Sequence, residues 1–119
     1  MTISLLDKYL KNLKFVVLND HKTGNSFELF FGFHLPNMHS EIFAEARRHY
    51  STLGREIGIC GGGRITKKGN CIFLHGRSEK YGCFDDEVAL NLAKQHPLLS
   101  EQGFVFLSKS GEDNVDKIH

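Results

Sequence analysis

Three consecutive glycines, Gly61–Gly63, lie in a β-rich part of the sequence and constrain the fold more than any other feature. They follow a predicted strand, Glu56–Cys60, and lead into Arg64 and Ile65. Glycine is disfavoured in strands because it has no side chain to pack and loses much conformational entropy on folding. Some neighbouring group must therefore require bare backbone here. Two explanations stay open: the segment lines a phosphate site, or it is a bulged strand that lets a helix or another strand approach closely.

The hydrophobic pattern around the glycines predicts an α/β (α+β) domain. Two strand-like runs, Lys14–Leu18 and Phe27–Phe33, flank a segment dense in turn formers and predict a hairpin. The other predicted elements are a helix that ends near residue 54, strands 56–60 and 71–75, a helix that begins at 85–87 and a strand at 103–107. This order predicts a single mixed β-sheet of five to six strands flanked by two main helices.

The chain length predicts one domain. It has 119 residues, of which 40% are hydrophobic and 24% charged, a composition that excludes disordered and collagen-like proteins. We expect a single domain over 1–119, with an N-terminal helical extension at 1–13 and a flexible tail at 110–119. The first residues carry charges through their apolar stretch, so we do not expect a secretory signal.

Charge and cysteine content restrict the partners. The chain has 15 Lys and Arg against 14 Asp and Glu, so we expect no nucleic-acid partner. No apolar run reaches the roughly 18–20 residues that span a bilayer, so we expect no membrane partner. Cys60, Cys71 and Cys83 are odd in number and form no CxxC motif, which argues against a disulfide framework or a zinc site. We expect a monomer without metal or cofactor in a reducing, cytoplasmic compartment.

His39 is the first candidate functional residue because it falls in the first turn of a predicted helix. Asn37 or Ser40 would cap this helix, and Pro36 suits its entry. A helix N-terminus offers free backbone N–H groups and partial positive charge, so it binds phosphate and favours a neutral imidazole. Such an imidazole can act as a base or a nucleophile. The alternative is a solvated histidine near a helix end.

The loop Gly76–Gly82 is the second candidate. Glycines at both ends and a hydroxyl between them are typical of a nest of N–H groups that binds an anion, and Arg77 and Lys80 would add positive charge. The alternative is a plain strand-to-helix connection with solvated charges. The role of Arg64 also has two explanations: it either contacts an anion or ties the glycine segment to a carboxylate.

Taken together, these residues resemble the Janus family, whose characterised members are protein phosphohistidine phosphatases. Gly61–Ile65 resembles the family's GGGRI segment, and Gly76–Gly82 resembles its G-x-S-x-x-Y-G loop. The spacing between His39 and the glycines is also similar. The resemblance covers most of the chain, from about Lys14 to Phe106.

The resemblance implies a metal-independent hydrolase that cleaves the P–N bond of phosphohistidine, or of phospholysine, and releases inorganic phosphate. His39 would be the catalytic base or a transient phospho-acceptor. Lys14 would bind substrate, and the N–H groups around Ser78, Glu79 and Lys80, with the Ser78 hydroxyl, would hold the phosphoryl oxygens. The residues expected to support this site are Arg64, Gly62, Gly63, Arg77 and Tyr81.

The substrates implied are phosphohistidine-containing proteins or small phosphoramidates. Two alternatives stay open: a non-catalytic phosphate- or phosphopeptide-binding module with the same cradle, and a structural protein in which His39 is merely solvated.

The sequence departs from the family pattern at three places. Phe31 stands where the animal enzyme has an arginine, and an acid, Asp85 or Asp86, stands where a histidine often occurs. Glu79 and Lys80 are charged where small or apolar residues occur. We expect these differences to bear on substrate choice.

Overall fold

A computed structural model describes residues 8–35, 38–100 and 103–112. Its elements in chain order are β1 (Leu13–Asp20), β2 (Ser26–Phe30), α1 (His39–Thr52), β3 (Ile57–Lys68), β4 (Cys71–Gly76), α2 (Asp86–Gln95) and β5 (Val105–Ser110). The strands form one sheet in the order β2-β1-β3-β4-β5. All neighbours are antiparallel except β4 and β5, which are parallel. The predicted order of elements and the α+β class with one mixed sheet and two helices are confirmed.

Strand β1 explains why the two helices cover opposite faces of the sheet. Successive side chains of a strand point to opposite faces. Phe15 and Val17 belong to the core that includes the buried face of α2. Val16 and Leu18 belong to a second cluster, which contains Ile42 of α1. Because all four side chains are buried, the middle of β1 is a continuous apolar run and does not alternate with polar residues.

Two of the three consecutive glycines in β3 are needed because the chain after the Gly76–Gly82 loop crosses them closely. A carbon added at Gly63 would lie 2.5 Å from the Phe84 ring, and one added at Gly61 would lie 2.5 Å from the Cys83 carbonyl oxygen. Gly61 also has a φ of +140°, a backbone conformation that residues other than glycine rarely adopt. The segment that approaches the glycines is therefore the connection between β4 and α2. The sequence pattern predicted a close approach but did not identify this segment as its source.

The two helices begin differently. In α2, the Asp85 side chain at the N-cap accepts a hydrogen bond from the Val88 N–H at 3.0 Å. In α1 the N-cap is Met38, which makes no side-chain capping bond, so the predicted cap at Ser40 is wrong. Ser40 lies inside the helix; Asn37 and Pro36 lie outside the described residues.

The ends of the strands differ from the prediction by a few residues. Strand β2 stops at Phe30 rather than Phe33. Strand β5 runs to Ser110, whose N–H donates to Asp86 Oδ1 at 2.8 Å. The predicted tail therefore does not begin at residue 110. The rest of that tail after 112, and residues 1–7 of the predicted helical extension, lie outside the described residues.

In the described part of the chain, no helix has both the length and the apolar content needed to cross a membrane.

Candidate functional site

One cavity brings most of the predicted site residues together. It lies where β1, β3, the start of α1 and the loop after β4 meet, and its volume is about 350 Å³. We call it the His39 cavity; its lining residues are Lys14, Met38, His39, Ser40, Arg64, Arg77, Ser78, Glu79 and Lys80. It therefore collects the predicted catalytic residue, all four predicted phosphate-binding residues and two of the predicted supporting residues.

His39 is the first residue of α1, and its ring is fixed by the glycine segment. The side chain is buried, and Nε2 lies 3.0 Å from the Gly63 carbonyl oxygen. A carbonyl oxygen only accepts hydrogen bonds, so Nε2 carries the hydrogen and Nδ1 holds the lone pair of the neutral ring. Among the described residues, none donates a hydrogen bond to Nδ1. Nδ1 is therefore the atom that can accept a proton or attack an electrophile.

The surroundings of His39 keep its ring neutral. Burial lowers the pKa of His39 below its usual value of 6.5, and the positive charges of Lys14 and Arg64 lower it further. The hydrogen bond to Gly63 acts in the opposite direction but does not reverse the shift in pKa. A neutral imidazole at physiological pH is the form that can serve as a base.

Gly62 provides the space for His39 and Ser78 to lie side by side. A carbon added at Gly62 would lie 2.8 Å from His39 Cδ2, 3.0 Å from the Phe15 carbonyl oxygen and 3.2 Å from Ser78 Cβ. Any side chain here would force one of these groups to move. The middle glycine of the run is thus tied directly to the cavity, whereas Gly63 acts through its carbonyl group.

The loop after β4 is closed by its own hydrogen bonds. The Ser78 N–H donates to the Gly82 carbonyl at 3.2 Å, the Gly82 N–H donates to the Ser78 carbonyl at 2.8 Å, and the Tyr81 N–H donates to Ser78 Oγ at 3.0 Å. The Ser78 N–H is therefore engaged within the loop, and its contact with a phosphoryl oxygen stays a prediction. In the described part of the chain, the N–H groups of Glu79 and Lys80 have no acceptor, so both are available to a ligand.

Two positive side chains line the cavity from the paired strands β1 and β3. Lys14 of β1 is directly across from Arg64 of β3, and both line the cavity. Like charges directly opposite on neighbouring strands repel each other, and an anion between them would relieve that repulsion. Arg64, expected only as a supporting residue, thus contributes to the cavity wall itself.

The N-terminus of α1 adds two further donors. The first helical hydrogen bonds run from Glu41 and Ile42 to the Met38 carbonyl. The preceding N–H groups, of His39 and Ser40, donate to no described residue. Together with the helix dipole, they favour an anion at this end of α1.

Met38 and Ser40 were not predicted as site residues, although both line the cavity. The sequence feature that could have indicated them is their position on either side of His39. Tyr81 does not line the cavity but packs edge-on against Phe43 of α1, with ring centroids 5.8 Å apart, and so joins the loop to the helix.

Phe31, which replaces the family arginine, lies away from the cavity. It is buried in the core on the α2 face and stacks on His96, with ring centroids 4.4 Å apart. Asp85 and Asp86 belong to the start of α2 and are also outside the cavity lining. Of the three departures from the family pattern, the pair Glu79 and Lys80 is the one that lies at the site.

The described residues contain no group of three His, Cys, Asp or Glu side chains placed to hold a metal ion. The donors around His39 are instead N–H groups and cationic side chains, which suit an oxyanion.

A comparison with protein-family models covers this part of the chain. The family model described as Janus/Ocnus family matches residues 7–98. This chain belongs to the Janus/Ocnus family. The match spans β1 to α2 and includes every residue that lines the His39 cavity. A search of curated proteins found no match. The Janus/Ocnus assignment confirms the family resemblance of the glycine segment and the loop.

Proposed function

We propose that this Janus/Ocnus chain is a metal-independent phosphohistidine phosphatase, with phospholysine as a second candidate substrate. One observation carries the proposal. A neutral His39, held through Nε2 by the Gly63 carbonyl, presents Nδ1 in a cavity rich in N–H groups and positive side chains that bind anions. The donors are the positive side chains of Lys14 and Arg64, the free N–H groups of the loop and those at the start of α1.

The proposed reaction needs little beyond these groups. Water attacks phosphorus while Nδ1 of His39 takes one of its protons. The substrate imidazole carries a proton from solvent on its other nitrogen, so when the P–N bond breaks and its electron pair stays on the leaving nitrogen, the imidazole departs as a neutral group. The N–H groups and cations neutralise the charge on the phosphoryl oxygens as inorganic phosphate forms.

A second route uses the same atom. Nδ1 of His39 attacks phosphorus directly, the substrate nitrogen leaves, and water then hydrolyses the phosphorylated His39. Both routes require the lone pair on Nδ1, so both depend on the tautomer that Gly63 fixes.

We propose proteins that carry phosphohistidine, or small phosphoramidates, as the substrates. Arg77, Glu79 and Lys80 are exposed at the mouth of the cavity, which favours a substrate displayed on a larger surface. A cytoplasmic, monomeric protein stays our prediction; the three unpaired cysteines support only the reducing compartment.

The test is hydrolysis of phosphohistidine, free and in a protein, by wild type and by His39→Ala, with EDTA present. We expect wild-type turnover to survive EDTA and the variant to lose about 10²-fold or more, the usual scale for a general base. His96→Ala is the matched control, because burial also lowers the pKa of His96 but its ring stacks on Phe31. A loss of only a few-fold in His39→Ala would reject the role of His39.

A non-catalytic phosphate- or phosphopeptide-binding module is the second candidate. It is favoured by the fact that the positive side chains and N–H groups of the cavity can attract an anion without Nδ1 of His39. Saturable binding of a phosphohistidine peptide that needs Ser78 and Lys14, with no turnover, would establish this alternative.

A further inference from the structure

Glu79 is the one carboxylate among the described side chains that line the His39 cavity. Four other lining residues carry positive charge: Lys14, Arg64, Arg77 and Lys80. Although these positive side chains line the same cavity, the Glu79 carboxylate forms no ion pair and accepts no hydrogen bond within the described residues. It is therefore available to a group on a ligand.

The loop holds Glu79 in a defined place at the mouth of the cavity. Ser78 and Gly82 are joined by two backbone hydrogen bonds, and Tyr81 is tied both to Ser78 Oγ and to the Phe43 ring. Glu79 stands at the turn between these anchors and is exposed. Its carboxylate is thus presented by a fixed backbone.

The burial of the lining residues gives the cavity an inner wall and a mouth. His39 and Ser78 are buried, whereas Glu79 and Lys80 are exposed. A phosphoryl group bound at the inner wall leaves the rest of its substrate at the mouth. The residues next to the phosphorylated side chain then meet Glu79.

We propose that Glu79 is a specificity-determining residue that favours protein segments with Lys or Arg next to the phosphorylated residue. This inference rests on the proposed function only in requiring that the phosphoryl group binds beside His39. A carboxylate at a charged mouth attracts a neighbouring ammonium or guanidinium group and repels a neighbouring acid. Because Glu79 is exposed, the effect is modest and weakens as salt rises.

The test compares two peptides that carry the same stable phosphonate analogue of phosphohistidine and differ only in the next residue, Lys or Ala. Their Kd values are measured by calorimetry with wild type and Glu79→Gln, which keeps the backbone N–H and the side-chain length. We expect Glu79→Gln to weaken binding of the Lys peptide, relative to the Ala peptide, by roughly two- to fivefold at low salt. Lys80→Gln is the matched control of opposite charge on the same loop, and it should shift the ratio the other way.

The inference is overturned if Glu79→Gln leaves the ratio of Kd values unchanged, or if wild type binds neither peptide. Turnover of phosphohistidine is measured separately. A shifted ratio without turnover supports the role of Glu79 and rejects the phosphatase, whereas turnover with an unshifted ratio rejects the role of Glu79 alone.

Discussion

Two concave regions at opposite ends of α1 contain the same kinds of side chain but are built differently. The larger, about 460 Å³, is lined by His21, Arg47, Ser51, Arg55, Glu56 and Ile57, and we call it the His21 groove. The smaller is the His39 cavity, about 350 Å³. Both have a histidine, two or more cations and one glutamate. Size alone would favour the His21 groove, whereas the count of positive side chains favours the His39 cavity, which has four against two.

The difference lies in the contacts of Arg55 and in the backbone N–H groups that each region presents. In the His21 groove, Arg55 pairs with Asp20 at 3.2 Å and lies 3.8 Å above the Phe27 ring, so its charge is already used. This groove also lies at the C-terminal end of α1, where the helix dipole disfavours anions. The His39 cavity lies at the N-terminal end, with N–H groups that have no acceptor among the described residues. Engagement of the donors, rather than volume, separates the two regions.

The largest expected effect comes from filling the space beside His39. We expect Gly62→Ala to displace His39 or Ser78, because its new carbon would lie 2.8 Å from His39 Cδ2. Overpacking of this kind costs typically about 1–3 kcal/mol of unfolding free energy, and we expect phosphohistidine hydrolysis to fall at least about tenfold. Urea unfolding and steady-state kinetics measure both.

Gly58→Ala is the matched control on the same strand. A carbon at Gly58 would lie 2.5 Å from Asn19 Oδ1, at the end of a side chain that does not line the His39 cavity. Equal activity in the two variants would show that the space at Gly62 does not position the site.

A pair of arginine variants tests the two regions against each other. We expect Arg64→Ala to raise KM for phosphohistidine about tenfold or more, since hydrogen bonds to charged groups contribute about 1.5–3 kcal/mol. Arg55→Ala should leave KM and kcat within about twofold, because an exposed pair contributes little and lies in the other region. An equal rise of KM in both variants would mean that the two regions do not act separately. Kinetics at two salt concentrations would show whether the rise in KM comes from a general loss of positive charge.

The smallest expected effect concerns pH. Because the pKa of His39 is lowered and the neutral ring is the base, we expect activity to be flat above the usual histidine value of 6.5 and to fall as the pH drops through the lowered pKa. Folding favours the neutral form of both His39 and His96, so the unfolded chain binds more protons in this range. The free energy of unfolding should therefore decrease on acidification below about pH 6.5.

His96→Gln separates these two consequences. It should flatten the dependence of unfolding free energy on pH in the acid range and leave the pH profile of kcat unchanged. A shifted profile of kcat would contradict the assignment of that profile to His39. Chemical unfolding and initial rates across a pH series provide the measurement.

Much of the fold was predictable because its signals are local. The apolar spacing along α1, the acids at the start of α2 and the alternation of β-rich runs with turn formers depend on residues a few positions apart. These patterns predicted the order of all seven elements. The ends of β2 and β5 were less predictable, since pairing with β1 and β4 sets them.

The site was predictable only in part. The types and order of residues at His39, the glycine segment and the loop indicated a phosphate site and the family. They did not indicate that the Ser78 N–H is taken by Gly82, or that Met38 is the N-cap of α1. Such details depend on which backbone groups meet, and no local pattern encodes that.

The sequence by itself determined the elements, their order and the family, because periodicity and short motifs report on neighbours in the chain. Only the tertiary structure decided that α1, β1, β3 and the loop meet in one cavity. It also decided that the Phe84 ring packs closely over Gly63, and that Phe31 lies in the core on the α2 face of the sheet. These contacts join residues far apart in the chain, so they follow from strand register and packing rather than from local preference.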